Sequence, residues 1–334
     1  MKYAFVARGF SALPTGGVQY QGLMWKNALE KLDNKVDLVG SFWSGVNLAD
    51  YDAVIIFMLE IGCRSYVKAV ADVNPNVIVA PIIDPKYSDK LFKFFCKYWG
   101  SVKYLGLSSG YHDMWLARKY PKLWLVRSDQ ERHYVNYCLE IPQEKIATVP
   151  LNYRIPNCIG FPDKENFCFH ASRLHAANKN VPRIIEAAKK YGFQLKLSGY
   201  LEHKNIGWLQ NLIGGASNIE YVGRLTAEGL LDMYKRAKVL ALPSLQEGVG
   251  MVALEAAAYG CEIVLTSYGA PKQYFKGQAI LVDPKSVDEI GQGIMKALNE
   301  GYAQPKLKTF IENNYSEESC GKLLDATLKD AVSK

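Results

Sequence analysis

Several kinds of signal are missing from this sequence, and each absence removes a class of protein. The seven cysteines are odd in number, scattered from Cys63 to Cys320, and nowhere spaced as C-x-x-C. A disulfide framework and a structural zinc site are therefore not expected, and a reducing compartment fits. The five histidines show no i, i+4 ligand spacing, so no metal is expected. No G-x-S-x-G or Cys–His signature points to nucleophilic hydrolysis. The opening MKYAFVARGF enters a strand-like run without an apolar targeting region. The longest apolar runs, such as Ala53–Met58, reach about seven residues, well short of the roughly 20 that span a bilayer. A cytoplasmic protein is expected, with contact at the inner membrane face as a further option. Repeats and low-complexity tracts are absent as well.

The 334 residues are 49% hydrophobic and 22% charged, an ordinary globular composition whose length suits two domains. The net charge is +7; residues 1–160 hold 19 basic and 14 acidic side chains, so most of the excess lies there. That mild imbalance favours an anionic partner for the first half.

Short β-branched runs alternate with helical stretches along the whole chain. In the first half, Lys2–Ala7, Lys35–Gly40, Asp52–Met58, Asn76–Ile83 and Leu123–Arg127 read as buried strands. In the second, Asn166–Ser172, Phe193–Gly199, Ile219–Gly223, Lys238–Ser244, Cys261–Ser267 and Ala279–Asp283 do the same. Continuous rather than alternating apolar strands indicate parallel sheets covered on both faces. The expected fold class is α/β, with two Rossmann-like doubly wound domains facing a cleft. The Pro-rich stretch Val149–Asn166 reads as the linker, giving domains of 1–155 and 156–312, followed by a terminal segment 313–334 that packs back on the first. A helix is expected over Asn314–Ala331, capped by Ser316.

The most informative stretch is Val239–Ser267. A buried strand ends at Pro243, a glycine-bearing loop follows, and a helix starts near Gly250. Glu247 in the loop and Glu255 in the helix stand eight residues apart. Gly248 and Gly250 let backbone approach a ligand, and the amides of Met251 and Val252 open a helix whose positive dipole end suits an anion. A helix terminus for a diphosphate and two carboxylates for hydroxyls match what a nucleotide-sugar needs.

This string resembles the E-x7-E signature of the large retaining glycosyltransferase family (family 4-like, group 1) that includes sucrose-phosphate synthases and many bacterial sugar transferases. The resemblance is best over residues 166–285. It implies the GT-B fold and transfer of a hexose from a nucleoside diphosphate, UDP being the expected nucleotide, with no cofactor and no metal. Within Ala171–Asn180, Arg173 and Lys179 match the family's diphosphate-holding Arg and Lys. The resemblance assigns Glu247 to the donor sugar, Glu255 to the ribose, and Arg224 and Leu225 to the nucleobase. Gly16 and Gly17 match a Gly-Gly loop beside the donor phosphate. The implied acceptor is a glycan, of surface polysaccharide or lipid-linked type. The alternatives are a DNA-base glucosyltransferase, with nucleic acid as acceptor, and a non-catalytic nucleotide-sugar or glycan binder.

The departures fall on the sugar and acceptor side. Where the family often has a histidine at the end of an N-domain strand, this chain has Asp84. Ala270 and Gln273 replace a glycine and an acid after the double-Glu helix, and Ser172 replaces the glycine of the G-R-L segment. Asp50-Tyr51-Asp52 is formally D-x-D but precedes a strand, and reads as a loop cap. Finally, Lys86, Lys90, Lys93 and Lys97 share one face of a helix over Pro85–Trp99, with Leu91, Phe92, Phe95 and Trp99 on another. Lys90, Lys93 and Lys97, with Asp84, are the acceptor-side candidates, since a basic amphipathic helix suits a membrane or an anionic acceptor.

Overall fold

The computed structural model describes residues 1–7, 17–40, 45–84, 87–100 and 109–334. Gly16 and Lys86 lie outside the described residues. Two compact units divide the chain: residues 1–151 with 317–334, and residues 152–316.

The first unit holds six parallel strands, β1 (Lys2–Val6), β2 (Lys35–Val39), β3 (Ala53–Phe57), β4 (Val77–Ala80), β5 (Leu123–Val126) and β6 (Ile146–Thr148), in the order β2-β1-β3-β4-β5-β6. Every side chain of β3 and β4 is buried, as the unbroken apolar runs require of strands covered by helices on both faces. The three-residue β6 is too short to show a period, and no strand is legible there. The last helix, Glu317–Ser333, packs on helix Gly17–Glu30 so closely that a Cβ on Gly321 would stand 2.9 Å from that of Ala28. Asn34 on the turn after that helix donates to Asp325 at 2.9 Å. The helix expected after the Ser316 cap begins at Glu317 and runs to Ser333; Ser316 is extended (ψ 159°), as an N-cap is, and the expected start at Asn314 belongs instead to the end of the preceding helix, Lys306–Tyr315.

The second unit holds β7 (Glu165–Ala171), β8 (Leu195–Ser198), β9 (Ile219–Tyr221), β10 (Ala237–Leu242), β11 (Glu262–Thr266) and β12 (Ile280–Val282), all parallel, in the order β12-β11-β10-β7-β8-β9. Counted within the unit and from the other edge this is 3-2-1-4-5-6, the doubly wound order. Chain direction across the sheet reverses between β7 and β10, which pair through Cys168↔Val239 and Phe169↔Leu240. Open sheets of this kind bind ligands beyond the carboxyl ends of the strands at that switch point. All seven cysteines are free and buried. No helix among the described residues is long and apolar enough to cross a membrane.

Candidate functional site

The exits of β7 and β10 meet at the switch point, and the chain there is stitched by short polar links. His170, fully buried on β7, places Nδ1 2.8 Å from the Ala241 carbonyl on β10 and Nε2 2.8 Å from Ser172 Oγ. A carbonyl can only accept, so Nδ1 carries the proton and Nε2 accepts from the serine hydroxyl. Burial pushes the imidazole down to about 4, which keeps it neutral in this role. The exit of β8 presses on the same turn: Gly199 has φ +149°, and a Cβ there would stand 1.6 Å from the Ser172 carbonyl oxygen. Only glycine fits that approach.

Beyond Ser172 the chain turns through Arg173 and reaches Asn180, a buried residue in the left-handed region (φ 61°). Its amide donates to the Pro243 carbonyl (2.8 Å) and the Pro284 carbonyl (2.6 Å), tying the exits of β10 and β12 to the start of helix Val181–Tyr191. The Leu245 amide donates to the Asn178 carbonyl at 2.8 Å. On this frame Lys179 Nζ meets Glu247 Oε2 at 2.7 Å, and Ser244 Oγ donates to the same oxygen at 3.0 Å. Arg173 is exposed and makes no ion pair among the described residues. The structure thus brings Lys179 and Glu247 together from loops 68 residues apart in sequence, with Arg173 exposed on the same loop as Lys179.

The next helix runs Met251–Ala258. Gly250 precedes it in the left-handed region (φ 74°) with no side-chain cap, leaving the first-turn amides of Met251 and Val252 for an outside acceptor. Gly248 lies in the half-buried approach to it.

Glu255 departs from its expected setting. Its side chain is buried, and its two oxygens accept from Arg154 Nε at 2.6 Å and from the Tyr234 hydroxyl at 3.0 Å. Burial, with the carboxylate beside it, pushes the Tyr234 phenol well above its ordinary value. Each oxygen accepts one of these bonds, and a carboxylate oxygen can accept a second. Arg154 and Tyr234 stand 101 and 21 residues from Glu255, and no local pattern announces them.

At the exits of β8 and β9, Arg224 is exposed, Leu225 is half-buried, and the Arg224 guanidinium lies 5.9 Å from the centre of the exposed Tyr200 ring. Tyr200 is a residue the sequence reading missed. It follows the Ser198-Gly199 turn, which could have flagged it.

In the first unit, Gly17 begins helix Gly17–Glu30 with open space where a Cβ would stand. Asp84, beyond β4, accepts from Arg127 at 3.2 Å. Arg127 is itself buried and gripped by buried Glu131, whose oxygens also accept from the Ile83 and Arg127 amides at 2.7 Å. Asp84 is thus held by a rigid base that the sequence did not reveal.

The basic helix, Asp89–Tyr98, corrects an expectation. Lys93 and Lys97 are half-buried and share Glu140 at 3.1 and 3.2 Å; their charge holds that carboxyl below its ordinary value. Only Lys90 of the three acceptor-side lysines is exposed, and of the apolar residues grouped on the other face Leu91 and Trp99 are exposed while Phe92 is buried. Asp52 accepts from the Lys2 amide at 2.7 Å and Asp50 accepts from Asn47 at 3.0 Å, so this D-x-D caps a strand and a turn. Among the described residues no group of three or more His, Cys, Asp or Glu could hold a metal.

The profile of the family described as glycosyl transferases group 1 matches residues 154–317. An uncharacterized glycosyltransferase of Methanocaldococcus jannaschii is 28% identical over 178 residues, 50% of this chain and 43% of that protein. O-antigen chain mannosyltransferase B of Escherichia coli is 25% identical over 198 residues, 54% of this chain and 52% of that protein. The chain spans about half the length of these curated relatives. The solved sucrose-phosphate synthase of Thermosynechococcus elongatus matches 99% of both chains with a TM-score of 0.74 at 13% identity, a likeness of fold that is GT-B.

Proposed function

The chain belongs to the glycosyl transferases group 1 family through residues 154–317, and on that footing we propose that it is a retaining hexosyltransferase. It moves a sugar from a nucleoside diphosphate, UDP being the first to test, to a hydroxyl of a glycan, free or lipid-linked. One observation supports this reading: the Lys179–Glu247 pair at the switch point, with Arg173 exposed on the loop that carries Lys179. A diphosphate entering there meets two cations and the Met251 and Val252 amides, which stabilise the charge that grows as the leaving group departs. No metal is invoked. Lys179 turns from Glu247 to the phosphate, and the freed carboxylate accepts hydrogen bonds from donor-sugar hydroxyls while Ser244 keeps it in place.

The bond from the anomeric carbon to the phosphate oxygen breaks, the bond to the acceptor oxygen forms on the same face, and the acceptor proton passes to the departing diphosphate. Arg224 and Leu225, with Tyr200, offer a cationic, apolar and aromatic edge for the base. Glu255, held by Arg154 and Tyr234, accepts from the ribose through its remaining acceptor sites. Asp84, fixed by Arg127, is the acceptor-side acid.

The test is a panel of UDP-, GDP- and ADP-sugars with short glycan acceptors, read as nucleoside diphosphate release and, by NMR, as anomeric configuration of the product. Release with an inverted product refutes retention. No turnover of any nucleotide-sugar refutes the reading itself.

A further inference from the structure

Helix Asp89–Tyr98 turns a largely apolar face away from the first unit, with Lys90 alone of its lysines exposed there. Leu91, Phe94 and Tyr98 recur at i, i+3 and i+7, one stripe of the helical surface, and Tyr87 before the N-cap and Trp99 at the C-cap flank its two ends. These five are between 42% and 52% exposed. The opposite side is fully satisfied, with Phe92 and Cys96 buried in the core. Exposed large apolar residues are ordinary singly, but three in one row on a helix with one more at each end are not.

The flanks of the stripe carry more positive than negative charge. Lys90 is exposed within it, and Lys97 and Arg118 both lie over the Trp115 ring, at 5.3 and 3.7 Å. Lys93 lies 4.5 Å over the Tyr137 ring. Against these, Asp89 is engaged by His133 at 2.8 Å, and Glu140 answers Lys93 and Lys97 together. The border is cationic on balance, in a half of the sequence that is itself basic.

We propose that this face lies on an anionic lipid surface, with Leu91 and Phe94 inserted below the headgroups, Tyr87, Tyr98 and Trp99 at headgroup level, and Lys90 among the phosphates. Amphipathic helices with an apolar face and basic margins bind membranes in this way, and Tyr and Trp favour the interface. A protein partner would be selected by shape. A bilayer needs only an apolar stripe with cationic edges, which is what the surface offers. The ten-residue helix spans nothing; it lies in the plane. The inference concerns attachment and stands without the catalytic reading.

The test uses the whole chain and vesicles of phosphatidylcholine with about one-third phosphatidylglycerol, compared with phosphatidylcholine alone. Sedimentation should show binding to the anionic vesicles, at least tenfold weaker without phosphatidylglycerol and weakened further by added salt. The double variant Leu91→Gln/Phe94→Gln should lose binding at least tenfold and keep its melting temperature, since both side chains are exposed. Quenching by brominated lipid should occur in the wild type and be lost in Trp99→Phe, a readout that does not depend on how the double variant folds. An absence of wild-type binding to either vesicle overturns the proposal. So does binding that the double variant retains, or a soluble dimer that the same substitutions dissolve.

Discussion

Lys179 Nζ and Glu247 Oε2 stand 2.7 Å apart at the switch point of the second sheet, a cation and an anion held together where a ligand's diphosphate and sugar would lie. On the proposed function the pair occupies the donor's place and opens when the donor binds. Replacing either partner therefore has two separable consequences, one for the folded chain and one for the ligand.

Arg173→Ala and Lys179→Ala should each lower kcat about 10²–10³-fold, the size expected for one preorganised stabiliser of leaving-group charge. Thermal unfolding should distinguish them. Arg173 has no ion pair to lose among the described residues, and its variant should melt like the wild type. Lys179→Ala leaves Glu247 with Ser244 and should cost about 1 kcal/mol. Wild-type turnover in both variants would falsify the diphosphate assignment.

Glu247→Gln should weaken the intact nucleotide-sugar more than tenfold, as loss of a hydrogen bond to a charged group worth about 1.5–3 kcal/mol implies. The free nucleoside diphosphate should bind as well as before or better, because Lys179 no longer has to leave a carboxylate. Calorimetric titration of both ligands decides the matter, and equal losses for the two would remove Glu247 from the sugar.

Glu255→Gln should be foremost a stability variant. It strips the charge from a buried carboxylate held by Arg154 and Tyr234. A loss of about 2 kcal/mol is expected, below that for a fully buried pair because Arg154 is partly solvated. A shift in nucleotide affinity with no change in denaturation midpoint would show that the carboxylate serves the ribose directly.

Acid should reach the switch point through His170. Its folded value, about 4, lies below the ordinary imidazole value of about 6.5, so the unfolded chain binds the proton more readily. Its contribution is present in full above about pH 6.5 and is lost as pH falls toward 4, by a few kcal/mol in all. In His170→Gln that segment of the stability–pH curve should flatten. An unchanged curve, measured by urea denaturation at each pH, would show that other groups carry the acid sensitivity.

What was legible in the sequence follows from range. Parallel strands buried on both faces are written as unbroken apolar runs, so β3, β10 and β11 were visible where they lie, and the loop between β10 and the Met251 helix carried its glycines and Glu247 in one string. Pairings across long separations left no mark: Arg154 with Glu255, Arg127 with Asp84, and Asn180 with Pro284 are made by the sheet order. Helix Asp89–Tyr98 misled for another reason. Aromatic residues occupy both of its faces, so periodicity alone could not say whether Phe92 or Phe94 points inward. The lysines fixed no orientation either, because Glu140, 43 residues beyond Lys97, draws two of them down.

The central claim is that the exits of β7 and β10 hold a nucleoside diphosphate, and isothermal titration of UDP, GDP and ADP into the wild type and the Arg173→Ala/Lys179→Ala double variant tests it most directly. At least one of the three should bind the wild type with a single site, and the double variant should bind it at least a hundredfold more weakly while remaining folded. Equal affinity in the two proteins, or no binding of any of the three to the wild type, would contradict the account.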